Sequence, residues 1–120
     1  MTDGKLQLTP EDLLAGAGLT HEVTIHDHVL RPGAASPADR EGPARVVQLR
    51  PLTIGAFQLI MKAARNDASL IPLLMIKESL VEPTMSLEQI KRLSLGLITF
   101  LIGHIREISG LQEKKSPERS

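Results

Sequence analysis

The four histidines are the side chains best suited to chemistry in this chain of 120 residues. His26 and His28 stand two apart, which places both on one face of an extended strand, and His21, Glu22 and Asp27 lie close by in sequence. Imidazoles and carboxylates are what zinc and its neighbours bind, yet a closed site needs three or four convergent donors. Only the distant His104 is left to complete one. Solvated strand histidines are therefore expected, with no metal. Glu78 and Glu82 fall one helical turn apart, where like charges mark a solvated face more often than an acid/base pair. No serine sits in a G-x-S-x-G elbow, and no phosphate loop or dinucleotide fingerprint occurs. With no cysteine, thiolate chemistry is excluded as well. No catalytic residue, no cofactor and hence no enzyme is expected.

Composition narrows the remaining classes. The formal net charge is zero and the only aromatic residues are Phe57 and Phe100, so neither a basic face for phosphates nor platforms for stacking bases are available. A nucleic-acid or membrane partner is not expected. The most apolar run, Leu93 to Ile105, is shorter than a bilayer span and is flanked by Lys91, Arg92, Arg106 and Glu107, which predicts a core helix. The opening "MTDGKLQLTPEDLL" has acids where a secretory signal has a basic start and an apolar run, so a cytoplasmic location is expected.

These residues must be positioned by few elements. Residues 1–20 predict a flexible segment with one short helix, capped by Thr9, led by Pro10 and ended by Gly16 and Gly18. "HEVTIHDHVL" alternates Val23, Ile25 and Val29 against polar neighbours, and "RVVQL" supplies a second short strand. The Pro- and Gly-rich stretch between them predicts a hairpin with a long mobile tip. From Thr53 the period becomes helical. A first helix carries the stripe Ile54, Phe57, Ile60, Met61 and Ala64, and closes at Asn66 and Asp67. A second, capped by Ser69 with Pro72 in its first turn, runs to Glu82, where Pro83 stops it. Ser86, with Gln89 completing a capping box, starts a last helix that Gly110 ends, Leu111 folding back over the final turn. Leu87, Ile90, Leu97, Ile98, Leu101, Ile102, Ile105 and Ile108 form its apolar stripe. The strip Arg92, Ser94, Gly96, Thr99, Gly103, Arg106 and Glu107 stays uncovered. The expected fold is α+β: an N-terminal β-hairpin with a long loop followed by a three-helix bundle, in one domain over 21–111. Residues 112–120 are expected to form a charged flexible tail. Met61, Met75 and Met85 add flexible thioethers suited either to filling the core or to accepting varied apolar partners.

"VVQLRPLTIGAFQLIMKAARND" followed by "LVEPTMSLEQIKRLSLGLITFLIGHIREISG" resembles the tail assembly chaperones of long-tailed phages, prophages and contractile injection systems. The shared features are a strand leading into the L-R-P-L-T turn, a first helix, the V-E-P break and a last helix ending in I-S-G. The resemblance covers about residues 20 to 111. It implies a non-enzymatic protein that binds the tape measure protein and keeps it soluble while tail tube subunits, a further partner, polymerise around it. A homo-oligomer is also expected. On this reading Met75, Ile76, Phe100 and Ile102 are the partner-binding contacts, lining grooves between helices. Many relatives occur in two lengths through ribosomal slippage, and Lys114-Lys115 is a candidate position for it. A structural subunit of the assembled tail or injection particle, and a small metal-dependent regulator using His26 and His28, are the rival functions.

Overall fold

The computed structural model describes residues 4–31, 33 and 45–111. The expected long tip of the hairpin and the charged tail with Lys114-Lys115 lie largely outside these residues. The chain opens with α1 (Pro10–Leu14), which begins where the Thr9 hydroxyl accepts from the Asp12 amide at 3.2 Å and the Asp12 carboxylate accepts from the Thr9 amide at 2.9 Å. Both orphan amides at its start are thus satisfied by reciprocal side chains. A 3-10 turn over Ala15–Gly18 leads into β1 (His21–Thr24).

The first strand is shorter than its alternation predicts. Val23 and Ile25 are buried on the expected face, but the chain then turns into α2 (Asp27–Leu30), with His26 at its start. Asp27 is the reason. It falls on the inward face with Val23 and Ile25, where a carboxylate needs partners, and it accepts from Arg31 at 2.6 Å and from Arg45 at 3.2 Å; a helical turn is what brings Arg31, four residues on, within reach. β2 (Val46–Leu49) pairs antiparallel with β1, His21 facing Leu49 and Thr24 facing Val46. A third strand, β3 (Leu80–Glu82), pairs with the other edge of β2, Leu49 opposite Leu80 and Gln48 opposite Glu82, leaving Val81 as a bulge. The hairpin expected from the sequence is therefore part of a three-stranded sheet with β2 in the middle.

In the helical layer, α3 (Ile54–Ala64) starts at Thr53, whose hydroxyl accepts from the Ala56 amide. Asp67, not Ser69, caps the next turn: its carboxylate accepts from the Ser69 amide, and α4 (Ile71–Ser79) follows with Pro72 in its first turn. α4 ends at Ser79, three residues earlier than a stop at Pro83 implies, because Ser79 turns inward and its hydroxyl donates to the Arg50 carbonyl at 2.6 Å. That bond ties the end of α4 to the end of β2 and releases Leu80 and Val81 into the sheet. The capping box of Ser86 and Gln89 forms as expected, yet it opens only a single turn, α5 (Leu87–Ile90). The chain breaks at Ser94, whose hydroxyl accepts from the Leu97 amide and starts α6 (Leu95–Ile108) afresh. A serine side chain that satisfies a local amide competes with helix continuation, and here it wins. At the far end Gly110 takes φ 78°, with its amide bonded to Glu107 O and the Leu111 amide to Arg106 O. These are the two bonds of the Schellman stop.

The class is α+β, with one hydrophobic core joining the layers: Val23, Ile25 and Leu49 from the sheet side, Ile60, Met75, Ile76, Leu80 and Ile90 from the middle of the chain, and Leu97, Leu101 and Ile105 from α6. α4 is the helix on which α3, α5 and α6 all pack. No helix among the described residues is long and apolar enough to cross a membrane.

Candidate functional site

Because α3 and α6 lean on α4 more than on each other, a groove opens between the start of α3 and the end of α6. Its volume is about 620 Å³. Pro51, Leu52, Ile54 and Phe57 form one wall, Ile108 and Leu111 the other, and Gly16 and Ala17 of the 3-10 turn close one side. One hydrogen bond holds the walls in register, the Leu52 amide donating to Ser109 Oγ at 2.8 Å, while Arg50 anchors the chain entering the first wall to α4, donating to the Glu78 carbonyl at 3.1 Å and to its carboxylate at 3.3 Å. Among the described residues the lining carries no ionisable side chain, so the groove offers apolar shape rather than charge.

The groove runs into an open helix face. Ile60 and Ala64 are the buried ridge of α3, whereas Ile54 is 75% exposed and Phe57 and Met61 are each 42% exposed. Spaced i, i+3 and i+7, these three share one side of the helix. Lys62 and Arg65 stand at its far end, and α3 has no acidic residue. The sequence assigns Ile54, Phe57 and Met61 to the same inward stripe as Ile60 and Ala64. That stripe is wider than the single helix packed against it can cover. No protein-family model, curated protein or solved structure matches the chain.

The four residues singled out as groove contacts divide evenly. Ile76 is fully buried and Met75 nearly so, both inside the core, where they hold α4 in place and offer a partner no surface. Phe100 and Ile102 are half-buried at its margin. Phe100 lies against the His104 ring, 4.6 Å between centroids, and both line a second, more polar cleft of about 780 Å³ between β1 and α6, together with His21, Glu22, His26 and Glu107. Three of the four histidines thus meet at one place, a convergence of β1 with α6 that spacing along the chain does not reveal. His26 and His28 are not strand neighbours: they flank the start of α2 with rings stacked 5.8 Å apart. Among the described residues no three histidines or carboxylates approach closely enough to hold a metal ion. Of the strip expected to stay uncovered, Gly96, Thr99, Gly103, Arg106 and Glu107 are exposed on α6 and Arg92 is exposed in the turn before it, and a methyl group placed on Gly103 would meet nothing within 4 Å.

Proposed function

We propose that this protein is a non-enzymatic assembly chaperone which binds the tape measure protein and keeps it soluble during tail tube assembly of a phage or contractile injection system. The observation that supports this reading best is the apolar groove of Pro51, Leu52, Ile108 and Leu111, continuous with the exposed Ile54, Phe57 and Met61 of α3. Exposed apolar surface of this kind marks a binding site, and an amphipathic helix is the ligand whose stripe fits a helix-lined trough. Phe57 and Met61 supply adaptable contacts, appropriate to a client that presents many similar segments in succession. In this reading the β1/β2 pair and helices α3, α4 and α6 are the hairpin and three-helix bundle of such chaperones, working in the cytoplasm of the producing cell. Phe100, at the neighbouring cleft, and Ile102, at the margin of the core, are secondary contacts.

The test is co-expression with a tape measure protein from the same source. The wild-type chain is expected to hold that protein in the soluble fraction and to co-purify with it, whereas Ile54→Glu/Phe57→Glu loses both while keeping its own solubility and native circular dichroism. A tape measure protein that precipitates equally with either form ends the proposal. Finding the chain at fixed stoichiometry in finished particles would instead make it a structural subunit.

A further inference from the structure

The N-terminal arm has an apolar side that nothing among the described residues covers. Leu6 is 90% exposed, Leu13 71% and Leu14 69%, and no residue of α1 is buried. Leu6 and Leu8 alternate in the extended approach to Thr9, and Leu13 and Leu14 follow in the helix, so the arm offers leucines over its whole length. The 3-10 turn explains why they miss the body: it seats Gly16 and Ala17 at the groove and leaves α1 beyond it. The charge of α1 is one-sided, Lys5 lying outside it in the approach. Glu11 and Asp12 occupy the first turn of α1, and the helix has no base.

α3 is the complement of this arm in both respects. It exposes Ile54, Phe57 and Met61, has no acid, and ends in Lys62 and Arg65, which make no ion pair among the described residues. From this match of leucines to an open apolar stripe, and of an acidic helix start to a basic helix end, we infer that the arm of one copy docks on the α3 face of a second copy. Each chain owns one arm and one face, so two copies related by a two-fold axis satisfy both at once. The occupant is a second molecule of this chain. The inference does not rest on the client reading, since it concerns the chain alone, although both use Ile54 and Phe57 and client and arm would then compete.

The test uses the full chain in analytical ultracentrifugation at micromolar concentration, without any client. Self-association is expected, and Leu13→Asp/Leu14→Asp and Phe57→Glu are each expected to weaken it at least about a hundredfold. Ile54→Glu serves in place of Phe57→Glu should the latter lose its native circular dichroism. The deciding measurement is the equimolar mixture of an arm variant with a face variant. It retains one intact arm and one intact face, so it is expected to associate more tightly than either variant alone. A monomeric wild type, including one whose arm folds onto its own body, overturns the inference. So does an assembly indifferent to the arm substitutions, or a mixture no tighter than its components. A wild type that stays monomeric yet binds the tape measure protein would remove this inference and leave the client reading standing.

Discussion

Ser79 is a polar side chain with no exposed surface, and it earns its place by a single bond to the Arg50 carbonyl 29 residues away. Replacing it with alanine removes the donor and leaves a carbonyl facing the core, a loss of about 1–3 kcal/mol. Ser79→Ala is therefore expected to lower the urea midpoint with an unchanged slope, since the amount of surface exposed on unfolding stays the same. Asp12 shows the opposite situation, a fully local interaction. The backbone amide of Thr9, and after it the Thr9 hydroxyl, hold the Asp12 carboxyl below its ordinary value of 3.8. A carboxylate lowered on folding favours the folded cap above that ordinary value and ceases to do so as the pH falls through its own lower one. Acidification below about 3.8 is thus expected to release the start of α1 while the core stays intact. Amide resonances of Thr9 and Asp12 should shift there, those of Ile105 should not, and Asp12→Asn should abolish the acid-dependent movement.

At the scale of the elements, legibility follows the range of the interaction. Thr9, Thr53, Ser86 with Gln89, and Gly110 with Leu111 were readable because a cap is written within a few residues of the amide or carbonyl that it satisfies. β3 was not, because Leu80 and Val81 suit a helix stripe equally well and only the pairing with β2, some thirty positions upstream, decides for a strand. The division of the last helix at Ser94 was also hidden, since Leu87, Ile90 and Leu97 keep one helical period straight through the break. The end of α3 holds a further device that sequence does not display. Arg65 takes φ 53° with ψ −118°, a backbone conformation natural to glycine and unfavourable for a residue with a Cβ atom. Arg65→Gly is expected to raise stability by about 1 kcal/mol, read as an increase of several degrees in the thermal midpoint.

At the scale of the whole molecule, the class and the single core were legible from periodicity, while the candidate site was not. Hydrophobic spacing shows which residues share a side of a helix, and it correctly grouped Ile54, Phe57 and Met61 with Ile60 and Ala64. It does not say how much of that side the neighbours cover. α4 covers the Ile60 and Ala64 ridge and stops short of the other three, so what reads as core along the chain becomes surface in three dimensions. The reverse happened to Ile76, chosen for a surface and found at the centre.

One carboxylate has a practical corollary. Asp27 grips Arg31 and Arg45 together, so the end of α2 and the approach to β2 are fastened to one buried carboxylate. Removing that carboxylate would release both guanidinium groups at once, so the cost of replacing either arginine should vanish in an Asp27→Ala background, which a double-mutant cycle reads directly.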